Sequence, residues 1–590
     1  MMRILATIFA MATVFINCGD VAFSQEVPGR YMREFCTYYP ISISKSGMSL
    51  VYFDKQNKTY SVYNYSDRTK KNIIGTFLGW SRDGGSIISI DPEKGVFVYN
   101  ENGSSGKNIA ANRGVPISFI DSSSVVNRGF SDFVEYLSTD AKNKRDGVSW
   151  YQFSINKANK EYVISDAHGV LGIASSNDGS MISRIVLEMN SGVKILQIKY
   201  LRKKSSKWHN IEFFGKDESV SGMRFFDGTL YFLSNKWSDM QKVYGFNTKT
   251  GAIKSIRSNI REDIISYLVG DRNGRTLIVD SASYRILGKN KNISELIGIS
   301  GSGRELISVV NSSGKTYLLK DGDNLKEVPS ECAKYTGKIS YINGTVENGG
   351  FHVPYYLSIP EGNGKAVPMV VDIHGGPFDR EYFMGDNGAS YWADKGFALL
   401  KINYRGSSGL GKKFAQAGYG NIDDLMVGDI EESIKAASSF GTIDKNKIIL
   451  FGHSFGGYES IRVALRHRIK INGIILINSP HDINRMVSSW SPWKNIIYNK
   501  WGFYTDNGKY GTIKTDDIRS INAPILLIYG DKDDIVPSIQ SVEIKKALVG
   551  VNSMSNFIEI KNGDHVLSSL PQRDLIYDYM VGWIKNVISP

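Results

Sequence analysis

One serine of the chain has the neighbours that a nucleophilic hydroxyl requires. Residues 452–456 read Gly-His-Ser-Phe-Gly, between the apolar segment 447–451, which predicts a buried strand, and the helical pattern of 460–468. This context is typical of a nucleophile elbow, in which the glycines permit a sharp turn that exposes the serine hydroxyl. The Phe455 amide, at the start of the helix, can donate to a developing oxyanion. The pattern predicts acyl transfer at Ser454, and the alternative is a glycine-rich turn with no chemical role.

A serine hydroxyl needs a base to take its proton and a carboxylate to orient that base. In the chain order Ser, acid, His, the acid is expected on the loop after the strand predicted at 525–529. Of the eight histidines, His565 alone lies beyond that strand, in a loop after the last predicted strand. The acid loop offers Asp531, Asp533 and Asp534, and the residues alone do not choose among them.

A second oxyanion donor is predicted at residues 374–377, which read His-Gly-Gly-Pro directly after the apolar segment 369–373. A glycine pair at the end of a central strand lets backbone N–H groups approach a substrate oxygen. The alternative is an ordinary turn before a proline.

From about residue 336 to residue 590, strand patterns alternate with helical patterns, which is typical of a largely parallel sheet. Several strands are nearly all apolar, as expected for strands with helices on both faces. The sequence therefore predicts a C-terminal α/β-hydrolase domain at 336–590, with strands at 369–373, 398–402, 447–451, 473–477, 525–529 and 557–560 and helices at 390–395, 423–439, 458–468, 538–548 and 573–587.

Upstream, short strand patterns separated by turn residues run from about residue 38 to about residue 329. Units of about 40 residues with several strands each favour a β-propeller of about six or seven blades at 25–335, although a solenoid or stacked sandwiches would use similar strands. A propeller closes a ring, and Cys36 and Cys332 lie at the two ends of this region. We therefore predict a Cys36–Cys332 disulfide, with two unpaired buried thiols as the alternative.

Together these motifs resemble the prolyl oligopeptidase family of serine peptidases. The resemblance rests on His-Gly-Gly-Pro at 374–377, Asn-Tyr-Arg-Gly-Ser at 403–407, the serine motif at 452–458, Gly-x-x-Asp-x-x-Val-Pro at 530–537, and His565. It implies that Asp533 is the acid and that the Gly376 amide completes the oxyanion hole with Phe455. It also implies an N-terminal propeller that restricts the substrates to short peptides.

The predicted function is that of an exported serine peptidase that hydrolyses short peptides through an acyl-enzyme. One alternative is an esterase, or a hydrolase of isopeptides or N-acyl peptides, on the same triad. A second is a propeller binding module with an inactive hydrolase domain. The resemblance departs from dipeptidyl-peptidase relatives, because the pair Glu431-Glu432 lies on a predicted helix of the hydrolase domain and not in the propeller. The aromatic segment 490–504 could line a specificity pocket or be a packed loop.

The N-terminal residues predict export to a periplasmic or extracellular compartment. Residues 1–24 read as a signal peptide with cleavage after Ser24, and Cys18 leaves a lipoprotein anchor as the alternative. No other segment resembles a membrane span. The net charge of +12 comes from scattered lysines, so nucleic-acid binding is not predicted. No Cys-x-x-Cys or His-Glu-x-x-His motif occurs, so we predict no metal or cofactor, and the oligomeric state is left open.

Overall fold

The computed structural model describes residues 36–567 and 573–589, with internal gaps of which the longest are 109–132, 140–147, 257–262, 281–292, 382–387 and 490–510. The predicted signal peptide and the aromatic segment 490–504 lie outside the described residues. The chain divides into two compact units. The described part of the first unit is 36–309 and 316–332, and that of the second is the short segment 310–315 and the residues from 338 onwards.

The described residues of the first unit form seven sheets of two to five strands, and within each sheet almost all neighbouring strands are consecutive in the chain. The strands of the first four sheets are β1 (Cys36–Ile43), β2 (Ser49–Asp54), β3 (Thr59–Asn64) and β4 (Thr69–Ile73); β5 (Thr76–Trp80), β6 (Ser86–Asp91), β7 (Gly95–Asn100) and β8 (Lys107–Asn108); β9 (Phe133–Thr139), β10 (Val148–Ser154) and β11 (Asn159–Ile164); and β12 (Val170–Ser175), β13 (Met181–Asn190), β14 (Val193–Arg202) and β15 (His209–Phe214). The other three sheets contain β16 (Val220–Phe226), β17 (Thr229–Ser234), β18 (Lys242–Asn247) and β19 (Ile253–Ser255); β20 (Tyr267–Arg272) and β21 (Arg275–Asp280); and β22 (Ile293–Ile299), β23 (Glu305–Asn311), β24 (Gly314–Asp321) and β25 (Asn324–Glu327).

Local turn chemistry explains why consecutive strands pair. Between β16 and β17, Asp227 and Gly228 have φ angles of 44° and 69°. Two consecutive positive φ angles form the hairpin turn whose twist matches that of the flanking strands, and Asp-Gly is a preferred pair for it. The strands on either side are in register, with Phe226 opposite Thr229.

The last strand of the first unit joins the first sheet. Strand β26 (Glu331–Cys332) pairs antiparallel with β1, and Cys36 lies opposite Cys332 in that pairing. A disulfide links these two cysteines, which are 296 residues apart in the chain. The two ends of the unit are therefore held by a strand pairing and by a covalent bond.

The second unit contains an eight-stranded sheet in the order β27-β28-β30-β29-β31-β32-β33-β34. The two strands at one edge are antiparallel, and every pairing from β30 to β34 is parallel. The strands are β27 (Ile339–Asn348), β28 (Phe351–Pro360), β29 (Val367–Ile373), β30 (Ala398–Ile402), β31 (Ile443–His453), β32 (Gly473–Ile477), β33 (Ile525–Gly530) and β34 (Asn556–Ile560).

Helices pack on both faces of this sheet. The described helices are α1 (Ala389–Asp394), α2 (Lys412–Gln416), α3 (Val427–Ser438), α4 (Phe455–Leu465), α5 (Ile483–Ser488), α6 (Thr515–Arg519), α7 (Ile539–Leu548) and α8 (Arg573–Ile588), and a π-helical turn at Ile422–Met426 leads into α3. Successive side chains of β29 belong to different hydrophobic cores, one on each face of the sheet. Val371 packs with Ile461 of α4, whereas Val370 packs with Trp392 of α1 and Trp583 of α8. Since parallel strands end at one edge, the loops after β29, β31 and β33 meet there.

Every helix among the described residues is too short or too polar to span a bilayer.

Candidate active site

Ser454 lies at a sharp turn between β31 and α4. Its φ and ψ are 53° and −127°, an unfavourable conformation for a residue with a side chain. A Cβ added to Gly452 would lie 2.3 Å from the Gly456 carbonyl oxygen, and a Cβ on Gly456 would lie 1.9 Å from the Ile373 carbonyl oxygen. Both glycines are therefore required by close backbone packing, which holds the strained serine at the end of its strand.

The neighbouring strand β32 and the segment after it also contact the turn at Ser454. The Ser454 N–H donates to the Ile477 carbonyl, at the end of β32, over 2.9 Å. A Cβ on Gly457 would lie 1.7 Å from the Ser479 hydroxyl oxygen, so the first turn of α4 packs directly against the segment after β32. The position of Ser454 is thus defined by β29, β31 and β32 together.

A histidine and a carboxylate from two other loops are hydrogen-bonded to each other. His565 Nδ1 lies 2.7 Å from Asp533 Oδ2, and Asp533 Oδ1 accepts from the Ile535 and Val536 N–H groups at 2.8 Å each. The Asp533 side chain is 1% exposed and that of His565 is 13% exposed. A carboxylate oxygen only accepts, so Nδ1 carries the proton and the neutral imidazole keeps its lone pair on Nε2, which is the nitrogen a general base needs.

The other two carboxylates of the acid loop have different surroundings. Asp531 lies 3.8 Å from the Lys561 ammonium, and Asp534 is exposed. Of the three candidates that the residues left open, the structure brings Asp533 to His565.

The loop that carries His565 reaches the elbow. His453, which directly precedes Ser454, has its Nε2 3.0 Å from the His565 carbonyl oxygen, and the two imidazole rings are 4.7 Å apart. The carbonyl can only accept, so His453 Nε2 donates. The nucleophile, base and acid candidates therefore lie at one edge of the sheet.

The His-Gly-Gly-Pro turn after β29 also lies beside the elbow. A Cβ added to Gly375 would lie 3.3 Å from the Ser454 Cβ and 3.8 Å from the Phe455 nitrogen. Gly376 has a φ of 115°, and a Cβ there would lie 2.4 Å from the Phe378 nitrogen, so only glycine fits. The backbone of this turn at Gly375 therefore lies next to Ser454 and the Phe455 nitrogen.

Residues 403–407 hold this turn, a role that the sequence did not indicate. The Tyr404 hydroxyl donates to the His374 carbonyl over 2.8 Å, the two rings stack 4.3 Å apart, and His374 Nε2 lies 2.8 Å from the Ser407 hydroxyl oxygen. Burial raises the pKa of the Tyr404 hydroxyl well above its usual value, so this donor stays protonated.

Arg405 anchors the same segment to α3. Its guanidinium donates to both oxygens of Asp429, at 2.8 and 2.6 Å, and its backbone N–H donates to the same carboxylate at 2.8 Å. Asn348 supplies a further donor to Asp429 at 2.7 Å. A bidentate pair of a 2% exposed arginine and a fully buried aspartate restricts how far the 403–407 segment can move.

The acidic pair 431–432 is engaged within the second unit. Glu431 is buried, with its carboxylate 3.5 Å from Arg466 and 3.3 Å from Arg468, and Glu432 pairs with Lys435 at 2.7 Å.

No cluster of three or more metal-ligating side chains occurs in the part of the chain that the structure describes.

Comparison with known proteins identifies a family match within the second unit. A sequence model of the prolyl oligopeptidase family matches residues 383–590. The chain carries a prolyl oligopeptidase family domain. Ser454, Asp533 and His565 all lie within the matched part of this prolyl oligopeptidase domain, and Gly376 lies seven residues before it.

Curated relatives extend the similarity upstream. The chain is 28% identical over 389 residues to dipeptidyl aminopeptidase BIII of Pseudoxanthomonas mexicana, covering 59% of this chain and 56% of the relative. It is 26% identical over 231 residues to the acylamino-acid-releasing enzyme of Rattus norvegicus, covering 37% and 31%. The chain thus spans about half or less of the length of these relatives.

Solved structures match almost the whole chain. The acylaminoacyl peptidase of Pyrococcus horikoshii superposes with a TM-score of 0.69 at 14% identity, over 94% of this chain and 97% of that one. A puromycin-hydrolyzing peptidase of Mycobacterium tuberculosis gives a TM-score of 0.67 at 13% identity, over 97% and 96%. At these identities the match shows that the prolyl oligopeptidase domain and the upstream sheets share the fold of these peptidases.

Proposed function

We propose that this protein is an exported serine peptidase of the prolyl oligopeptidase type that hydrolyses short peptides through an acyl-enzyme. The observation that carries the proposal is the 2.7 Å hydrogen bond between His565 and Asp533. The loop that contains His565 also contacts His453, the residue before Ser454. A buried, hydrogen-bonded acid on an imidazole whose loop contacts the residue before a strained serine is the arrangement expected to activate a hydroxyl nucleophile.

The proposed reaction has two halves. The Ser454 hydroxyl oxygen attacks the peptide carbonyl carbon while its proton moves to His565 Nε2, and Asp533 stabilises the imidazolium. The tetrahedral oxyanion accepts hydrogen bonds from the Phe455 and Gly376 amides, the C–N bond breaks, and the leaving amine takes the proton from His565. Water, deprotonated by His565, then hydrolyses the ester and frees Ser454. Removing one oxyanion donor typically lowers kcat about 100- to 1,000-fold.

The relatives' names suggest two specificities on this triad. One relative is a dipeptidyl aminopeptidase and another is an acylamino-acid-releasing enzyme, so release of a dipeptide and release of an N-acylated residue are both candidates. Glu431 is buried against arginines of its own unit, which does not favour it as a receptor for a substrate amino terminus. The alternatives are an esterase on the same triad and a propeller binding module with an inactive hydrolase domain.

Substitution of Ser454 by alanine tests the chemistry. We expect Ser454→Ala to abolish both labelling by a fluorophosphonate probe and cleavage of peptides, with unchanged circular dichroism. Ser439→Ala, at the exposed end of α3, is the matched control and should retain both. Cleavage at the wild-type rate by Ser454→Ala would refute the assignment, and an unlabelled wild-type protein would favour the inactive domain.

Mass spectrometry of products separates the specificities. The panel contains free, N-acetylated and ester-linked versions of one short peptide, incubated with the wild-type protein and with Ser454→Ala. Dipeptides released from the free version support dipeptidyl activity, whereas release of a single acetylated residue supports hydrolysis of N-acyl peptides. Turnover of the ester alone would favour the esterase.

The proposal includes export and domain organisation. Intact mass of the exported protein should correspond to a chain that begins at Gln25, and a retained N-terminal segment would contradict the proposed cleavage.

The seven sheets among the described residues of the first unit support seven blades for the proposed propeller at 25–335, followed by the hydrolase domain at 336–590.

A further inference from the structure

Asn478, which follows β32, has an unusual conformation in a buried position. Its φ is 46° and it is 1% exposed. Asparagine tolerates the left-handed region better than other residues with a side chain, because its short amide can hydrogen-bond locally. Here the amide instead bonds to two distant loops.

Both polar atoms of the Asn478 amide bond to the end of β33, which leads into the acid loop, or to the loop that carries the base. Its Oδ1 accepts from the Gly530 N–H over 2.8 Å, three residues before Asp533. Its Nδ2 donates to the His565 carbonyl over 2.8 Å and to the Asp564 carbonyl over 3.2 Å. One side chain thus links the acid loop to the base loop.

The same residue connects both loops to the strand that supports the nucleophile. The Asn478 N–H donates to the Ile528 carbonyl over 3.0 Å, and the Ile477 carbonyl, immediately before it, accepts from the Ser454 N–H over 2.9 Å. The backbone of His565 is therefore linked to the backbone of Ser454 through two consecutive residues, Ile477 and Asn478.

We propose that Asn478 is a positioning residue for the reaction: it fixes the His565 backbone so that the imidazole stays aligned with both Asp533 and Ser454. The proposal rests on the proposed function, in which Ser454 is the nucleophile and His565 the base. Without the amide, the Gly530 N–H loses a buried acceptor, and the His565 carbonyl loses the Asn478 donor beside that of His453. The base loop can then shift, and a displacement of about 1 Å can lower a rate about 100-fold.

Two substitutions and one matched control test this proposal. Asn478→Ala removes all three side-chain hydrogen bonds, and Asn478→Asp keeps the shape and the acceptor for Gly530 but turns an oxygen towards two carbonyls. Asn472→Ala is the control, because Asn472 lies just before the other end of β32 and its side chain accepts from the Ile448 N–H over 3.0 Å. It removes a comparable side-chain-to-backbone bond from the same strand, away from the elbow.

The measurements are kcat and KM for a peptide, the rate of labelling by a fluorophosphonate, and the melting temperature. Turnover is expressed per labelled site, so that unfolded protein does not count. We expect both Asn478 variants to lower kcat and the labelling rate together by about 10- to 100-fold with KM changed less than about threefold. Asn472→Ala should stay within about twofold of wild type on both rates, even if its melting temperature falls equally.

The outcomes separate this proposal from the one on which it rests. Wild-type turnover and labelling per site in either folded Asn478 variant would overturn the positioning role. An equal rate loss in Asn472→Ala would also overturn it, since the effect would then follow stability. A wild-type protein that is not labelled would overturn the proposed function and the positioning role together, whereas labelling without peptide cleavage would overturn only the peptidase assignment.

Discussion

Replacing Asp533 by asparagine changes the hydrogen bonding of the base while keeping the shape of the side chain. Asp533 Oδ1 accepts from two N–H groups, those of Ile535 and Val536, and Oδ2 faces His565 Nδ1. In Asp533→Asn the amide oxygen must accept from these two N–H groups, because an NH₂ group in that position would place donors against donors. The NH₂ group therefore faces His565.

The consequence is a change of tautomer. An NH₂ group donates, so His565 Nδ1 must accept and the proton moves to Nε2. The nitrogen that should take the Ser454 proton is then already protonated. The same exchange in a serine triad of unrelated fold lowers kcat about 10⁴-fold, which corresponds to about 5.5 kcal/mol at about 1.4 kcal/mol per decade.

The assay compares kcat and the fluorophosphonate labelling rate of Asp533→Asn, Asp534→Asn and the wild type at pH 7. We expect both rates to fall about 10⁴-fold in Asp533→Asn, with the KM for a peptide little changed. Asp534→Asn, on the exposed neighbouring residue, should stay within about twofold of wild type on both rates. A kcat for folded Asp533→Asn within tenfold of wild type would refute the tautomer argument.

Three further changes have defined outcomes. Tyr404→Phe keeps the ring stack on His374 but removes the donor to its carbonyl, so kcat should fall while KM changes little; equal kcat would show that the turn does not need this bond. Cys332→Ser opens a 296-residue loop worth at most about 6 kcal/mol in the chain-entropy model, so melting should begin at a lower temperature, and reductant should reproduce the shift in the wild type alone. The hydrogen bond from Arg485 lowers the pKa of Glu543 to about 2, so this carboxylate stabilises the folded state above its unfolded pKa of about 4.5, and the contribution disappears as pH falls towards 2. Glu543→Gln should therefore melt below the wild type at pH 7, with a difference that shrinks at pH 3; a constant difference would contradict the linkage.

Features that depend on short stretches of chain could be read from the sequence. The Gly-x-Ser-x-Gly turn is local, because the glycines that permit it adjoin the serine, and in the structure Ser454 lies between β31 and α4. The predicted strands 369–373, 398–402, 473–477 and 525–529 agree with β29, β30, β32 and β33 within two residues, since each is a continuous apolar segment. Short helices without a clear apolar stripe, such as α2 and α6, were not predicted.

The acid illustrates where residue types stop being sufficient. Asp531, Asp533 and Asp534 are chemically equivalent in the sequence, and only the resemblance to a family favoured the middle one. The physical reason is geometric: the turn after β33 directs the Ile535 and Val536 N–H groups at the Asp533 carboxylate. Which carboxylate receives those donors depends on the backbone path.

By itself the sequence determined the candidate nucleophile, the candidate base by its place in chain order, and the alternation of strands and helices, because each depends on neighbouring residues or on order along the chain. The tertiary structure decided which side chains hold the site in place. Tyr404 contacts His374 30 residues earlier, and Asn478 contacts Gly530 52 residues later and His565 87 residues later. These contacts arise because the parallel strands β29 to β33 end at one edge of the sheet in an order that differs from their order in the chain. No local pattern of residues encodes that order.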